Sequence, residues 1–276
     1  MNSTQHSTHH RVVLILVDGM RPDGLELAYT PNMDSIMQAG TFTLEAETTF
    51  PSVTLPCHTS LFLSVPPERH GILTNTWVPQ VRPVPGLFEV LHQAGKIAGS
   101  FYNWEQLRDL SSPGSLAISL MLRNIESPDG KADWELTQAT LRWLTTHDFD
   151  FTFIYLGKTD VAGHDHGWMS KAYLAAIQEA DRCIGHILAT LPKDTHYFVM
   201  ADHGGHDRSH GTQSIEDMRI PVLVKGPGIQ VGKELEAQVS ILDVAPSILQ
   251  ILGIPQPKEW MGVARFFNPD KKVDSR

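Results

Sequence analysis

Three runs of apolar, largely β-branched or aromatic residues stop at or shortly before an acid, and this pattern constrains the fold more than any other feature of the chain. Val12–Val17 runs into Asp18, Phe151–Leu156 shortly precedes Asp160, and Tyr197–Met200 shortly precedes Asp202. Runs of this length without polar alternation read as strands covered on both faces, the habit of parallel sheets. Between them the spacing changes to a helical period. From Ser170 to Leu191, one stripe holds Tyr173, Ala176, Ile177, Ala180, Ile184, Ile187, Leu188 and Leu191, with Ser170 as the N-cap. Shorter helices are expected over Pro31–Ala39, capped by Thr30 and stopped by Gly40, and over Val244–Leu252, stopped by Gly253. Alternating strands and helices predict an α/β fold, with an open, doubly wound central sheet and helices on both faces.

No repeat or linker divides the sequence, which predicts a single domain over residues 11–268, a disordered leader at 1–10 and a frayed tail at 269–276. The stretch Phe101–Lys131 is less regular and reads equally as a wall over an active site or as cover for a sheet edge. Val12–Val17 is the longest apolar run, far short of the roughly 20 residues that span a bilayer, and Met1–His10 lacks the apolar region of a signal peptide. No membrane association is expected, and the location reads as cytoplasmic. A formal net charge of −9 without any Lys/Arg block argues against binding nucleic-acid polymers, while leaving room for a phosphate ester in a pocket. Cys57 and Cys183 form no CxxC pair, so they are expected to be buried thiols. Oligomeric state is left open.

Ligands of open α/β sheets bind beyond the carboxyl ends of the strands, so the polar residues there are functional candidates. They are Asp18 in VDGMRPD, Asp160 and His164 in KTDVAGHDHG, Asp202 and His203 in ADHGGHD, and His210 in SHGT. Any one of them alone is an ordinary cap or turn residue. Jointly, carboxylate oxygen and imidazole at several strand ends form a donor set suited to zinc, with manganese or iron as alternatives. Thr54, in FPSVTLPCHTS, has two readings: a turn hydroxyl bonded locally, or a nucleophile. A threonine hydroxyl becomes a competent nucleophile at neutral pH when a divalent cation lowers its pKa.

The motifs VDGMRPD, TLPCHTS, HGILTN, TDVAGH and ADHGGHD, in this order, resemble the alkaline phosphatase superfamily, and specifically its nucleotide pyrophosphatase/phosphodiesterase branch. The resemblance runs over residues 11–254 and takes in TPNMDSIMQAG, MRIPVLVKGPGI and DVAPSILQILGI. It implies an alkaline phosphatase-like fold and two zinc ions. One would be held by Asp160, His164 and a third histidine, and the other by Asp18, Asp202, His203 and the Thr54 oxygen. His210 is preferred as the third histidine over His206, and His166 is a runner-up that reads rather as support for the ligands. Asn75, in HGILTNTW, matches an asparagine that donates to a non-bridging phosphate oxygen, with the backbone near Thr54 as a second donor. The implied route is in-line displacement at phosphorus through a covalent phosphothreonine at Thr54. Cys57 departs from the T-x-P-N-H run usual in the family, and His58 reads as structural.

Two dications would balance three aspartates and a threonine alkoxide, leaving the site near neutral before substrate arrives. That favours a singly charged diester over a dianionic monoester. No arginine adjoins Thr54 in sequence; Arg21 and Arg69 read as scaffold, whereas Arg82, Arg108 or Arg123 could reach the site from a distance. The leading expectation is therefore a phosphodiesterase or nucleotide pyrophosphatase acting on small phosphodiesters. The alternatives are a phosphomonoesterase, a phosphonoacetate-type hydrolase, and a zinc-binding pseudoenzyme. A sulfatase would need Cys or Ser in a C/S-x-P-x-R setting, which Thr54-Leu55-Pro56-Cys57-His58 does not supply. Phe50, Trp77, Tyr102 and Trp104 read either as core or as faces for an aryl, base or lipid group.

Overall fold

The computed structural model describes residues 10–127, 130–235 and 238–267. The expected leader, His10 excepted, and the expected tail lie outside the described residues. Among the described residues, eight strands make one sheet: β1 (Val12–Val17), β2 (Thr41–Glu47), β3 (Ala98–Tyr102), β4 (Ile118–Met121), β5 (Phe151–Leu156), β6 (His196–Met200), β7 (Arg219–Lys225) and β8 (Lys233–Glu234). Their spatial order is β4-β3-β5-β1-β6-β7-β2-β8. The segment β4-β3-β5-β1-β6 is parallel, and every residue of β1, β5 and β6 is buried, in keeping with their largely apolar composition.

The helices are α1 (Pro22–Leu27), α2 (Pro31–Ala39), α3 (Thr54–Leu63), α4 (Pro67–His70), α5 (Leu87–Gln93), α6 (Ala132–Leu144), α7 (Lys158–His166), α8 (Lys171–Thr190), α9 (Ile215–Met218) and α10 (Val244–Ile251). They flank the sheet in two groups: α1, α2, α6 and α7 gather round α8, while α4, α5 and α10 gather round α3. The expected α/β plan therefore holds, with one departure. β7 runs antiparallel to both β6 and β2. A parallel return needs a long crossover to the opposite edge of the sheet, but the chain from β6 to β7 stays at one edge and carries only the four-residue α9.

Register places the candidate site. Val12 pairs with Phe151 and His196, and Leu16 with Tyr155 and Met200, so β1, β5 and β6 finish nearly level. Asp18, Asp160 and Asp202 thus leave the sheet at the same edge.

Local signals fare unevenly. Ser170 caps α8, its Oγ accepting the Tyr173 N–H at 3.2 Å. Ser170→Ala is expected to cost about 1 kcal/mol, read as a lower denaturant midpoint at unchanged slope. Thr30 makes no side-chain bond to the backbone of α2, although Pro31 opens that helix as expected; its Oγ1 lies 3.3 Å from Asp34 Oδ1. α10 closes one residue before Leu252, and Gly253 takes a left-handed φ of 68°. Within the stretch from Phe101, β4 forms the sheet edge, as the second of the two readings expected, and Trp104 stacks on the Tyr155 ring. Cys57 and Cys183 are free and buried, and burial pushes both thiols up to about 12, which leaves them inert at neutral pH.

Candidate functional site

The strand ends converge on two adjoining clusters. Ligand-capable atoms of Asp18, Asp202 and His203 lie within 4.8 Å of one another, and so do those of Asp160, His164 and His210. Asp18 follows β1, and Asp202 and His203 follow β6. Asp160 and His164 stand one turn apart on α7 and therefore share a face. His210 comes from the long connection before α9. The His203 and His210 rings stack at 3.8 Å between centroids, which joins the two clusters.

The imidazoles are oriented by the backbone. Nδ1 of His203 bonds Gly204 O at 2.8 Å, Nδ1 of His164 bonds Arg208 O at 2.9 Å, and Nδ1 of His210 bonds Ser52 O at 2.8 Å. A carbonyl oxygen can only accept, so in each neutral ring the proton sits on Nδ1 and the Nε2 lone pair is turned to the cluster. His203 Nε2 lies 3.2 Å from Asp18 Oδ1 and 3.4 Å from Asp202 Oδ2. His164 Nε2 is 3.4 Å from Asp160 Oδ2, and His210 Nε2 is 3.6 Å from Asp160 Oδ1.

This donor set fits divalent cations. Asp18 Oδ1, Asp160 Oδ1 and Asp202 Oδ2 are buried without a hydrogen-bond partner, and three imidazole lone pairs face them. Such an arrangement of acceptors is unfavourable unless positive charge lies among them. The titration behaviour reflects the same crowding. Burial, with the charges of Asp202 and Asp160, holds the Asp18 carboxyl well above the usual range, and burial lifts Asp160 to about 6 against the pull of His210 and His164. Burial also opposes ionisation of Asp202, but His203 and His58 outweigh it and hold that carboxyl low. Burial lowers His203, and it lowers His210 to about 4.

Thr54 opens α3 rather than sitting in a turn, and Pro56 is tolerated because it falls in the first helical turn. The residue is 4% exposed, with Oγ1 3.1 Å from His203 Nε2. Asn75 is exposed, and its Oδ1 accepts the Leu55 N–H at 3.0 Å. Leu55 N–H, a backbone donor beside Thr54, is thus engaged by Asn75 Oδ1, and Nδ2 is the donor group of that side chain.

Other expectations resolve by geometry. His206 turns to Asp217 at 2.7 Å, and His166 is exposed on α7 and belongs to neither cluster. His58 does more than fill space: its Nδ1 bonds Thr54 O at 2.8 Å and lies 3.4 Å from Asp202 Oδ2. Arg21 binds Asp23 and Gly205 O, Arg69 binds Arg82 O, and Arg108 binds Glu105. Tyr102 is core and Trp104 packs on Tyr155, whereas Phe50 and Trp77 are exposed.

Two supporting residues escaped the sequence reading. Tyr155 donates its hydroxyl hydrogen to Asp18 Oδ2, and only its place five residues before Asp160 could have drawn notice. Asp133, buried in α6, accepts the N–H groups of Gly157 and Lys158 at 3.1 Å each and Asn103 Nδ2 at 2.9 Å. It caps α7 from another helix, an arrangement with no local sequence signature.

Comparison with known proteins accords with this geometry. The family model for type I phosphodiesterase/nucleotide pyrophosphatase matches residues 12–221. Ectonucleotide pyrophosphatase/phosphodiesterase family member 7 of Rattus norvegicus is 21% identical over 225 residues, covering 72% of this chain and 51% of the relative. The 2,3-bisphosphoglycerate-independent phosphoglycerate mutase of Thermomicrobium roseum is 25% identical over 237 residues, covering 78% and 45%. The chain spans about half the length of these curated relatives. An inactive form of murine ectonucleotide pyrophosphatase/phosphodiesterase 5, solved in complex with AMP, shares the fold with a TM-score of 0.75 at 16% identity, covering 89% of this chain and 96% of that one.

Proposed function

This chain belongs to the type I phosphodiesterase/nucleotide pyrophosphatase family, and we propose that it is a two-metal phosphoesterase hydrolysing small phosphodiesters through Thr54. The observation that carries the reading is the placement of a buried threonine hydroxyl 3.1 Å from His203, at the junction of two carboxylate–histidine clusters. Asp18, Asp202, His203 and Thr54 would hold one zinc ion, and Asp160, His164 and His210 the other. Bound there, such ions supply Lewis acidity that lowers the pKa of the Thr54 hydroxyl and offsets charge on the ester oxygens.

The chain's own groups do the rest. The first turn of α3 presents Oγ1, and the bond from His58 Nδ1 to Thr54 O keeps that turn against Asp202. Asn75 donates to a non-bridging phosphate oxygen. Thr54 Oγ1 gives up its proton to solvent and forms the Oγ1–P bond as the P–O bond to the leaving group breaks, the leaving oxygen taking a proton from solvent. This gives a covalent Thr54 phosphoester that keeps the substrate's second ester group. Water then forms a new P–O bond, losing a proton, as the Oγ1–P bond breaks and Oγ1 is reprotonated, releasing the phosphomonoester. The near-neutral ligand set and the engagement of Arg21, Arg69 and Arg108 elsewhere support a monoanionic diester as substrate. A second reading, phosphomonoester chemistry, draws on the similarity to the phosphoglycerate mutase.

The two readings separate in kcat/KM for an aryl phosphodiester and its matching monoester on zinc-loaded protein. The diester is expected to win by about two orders of magnitude, about 3 kcal/mol of transition-state stabilisation. Preference for the monoester would overturn the diesterase reading, and zinc binding without turnover of either would leave a pseudoenzyme.

A further inference from the structure

One side chain touches three of the four segments that carry the candidate ligands, all but the α3 segment of Thr54. The indole of Trp168 is 7% exposed, and its Nε1–H donates to Gly19 O at 2.9 Å, directly after Asp18. Its ring meets His164 edge-on at 5.0 Å and His210 at 5.8 Å. Gly163 on α7 and Gly205 in the His203–His210 stretch lie against it so closely that an added Cβ would come within 2.6 and 2.2 Å of the ring. Gly167, at a φ of 94°, turns the chain back beneath α7, and the Trp168 N–H then bonds Asp207 O at 2.8 Å.

These segments are far apart in sequence; the His164 Nδ1 bond to Arg208 O and the Gly19 N–H bond to Asp202 Oδ1 tie them pairwise, and the Trp168 indole packs against all three. We propose that Trp168 is a positioning residue that fixes the turn after Asp18, the helix carrying Asp160 and His164, and the stretch carrying His210 against one another, so that metal affinity depends on its indole. The proposal rests on the two-metal reading above. Trp168 contacts no reacting atom in that reading and acts only through the ligands.

The test is Trp168→Phe, with Trp143→Phe, an exposed position on α6, as the control. Phenylalanine keeps a ring between Gly163 and Gly205, and Gly19 O retains the Tyr173 hydroxyl as a donor at 2.9 Å, so no buried carbonyl is orphaned. Zinc dissociation constants are measured by chelator competition, alongside Tm in excess chelator. The expected result is about tenfold weaker binding of at least one zinc in Trp168→Phe, unchanged chelated Tm, and activity that falls at limiting zinc and recovers at saturating zinc. Zinc affinities equal to those of the parent and of Trp143→Phe would overturn the proposal, whereas a parent that binds no zinc would overturn the two-metal reading and the proposal with it. If Trp168→Phe does not fold, the six indole N–H resonances of the parent decide. Zinc should move a solvent-protected one, and binding that moves none would overturn the proposal.

Discussion

Thr54→Ala is expected to lower kcat/KM for a phosphodiester by at least about three orders of magnitude, about 4 kcal/mol, while the protein keeps its fold and its zinc. The substitution removes one methyl group and the hydroxyl oxygen that attacks phosphorus in the proposed route. It leaves the opening of α3 intact, because the Thr54 hydroxyl faces His203 rather than capping the helix backbone. Two aspartates and His203 still make up the first cluster, and the second cluster does not involve Thr54. Thr54→Ser keeps an oxygen at the same place and should recover much of the loss, which separates chemistry from packing. Elemental analysis beside steady-state kinetics checks both halves of the expectation. Turnover by Thr54→Ala equal to that of the parent would exclude the covalent route.

The second large effect distinguishes two histidines four residues apart. His210→Ala should weaken metal binding at the Asp160 cluster by more than a hundredfold, beyond the ten- to hundredfold typical of residues that only support a ligand, and turnover should fall with it. His206→Ala should leave metal affinity unchanged. His210 sends Nε2 towards Asp160 while Ser52 O holds its Nδ1, whereas His206 is spent on Asp217. Asp217 keeps the Thr212 N–H and hydroxyl as donors at 2.8 and 2.7 Å, so the stretch carrying His210 stays anchored when His206 is truncated. Chelator competition on the two variants reads the difference directly. The reverse order would move the third ligand to His206 and would contradict the geometry.

The parts legible in the sequence were those set by short-range physics. Largely apolar runs marked β1, β5 and β6, and the acids beyond them marked the sheet edge where the clusters lie, because level register brings a repeated strand-then-acid pattern to one place. The Ser170 cap and the stripe of α8 were equally plain. What stayed hidden depends on chain segments that meet only after folding. The antiparallel course of β7 follows from where the connection after β6 runs, not from the composition of Arg219–Lys225. Nothing beside Asp133 shows that it caps α7, and nothing beside Trp168 shows that Gly163 and Gly205 will close on its ring or that Gly19 O will accept its Nε1–H. Asn75 stood out in the sequence as a candidate, but its acceptance of the Leu55 N–H did not, since that bond spans 20 residues.

The covalent route through Thr54 is the central claim, and the stereochemical course at phosphorus tests it most directly. A P-chiral phosphorothioate diester is hydrolysed in isotopically labelled water, and the configuration of the thiophosphate product is determined. Two successive in-line displacements, first by Thr54 and then by water, predict net retention of configuration. Net inversion would mean that water attacks phosphorus in a single step, and would contradict Thr54 as the nucleophile.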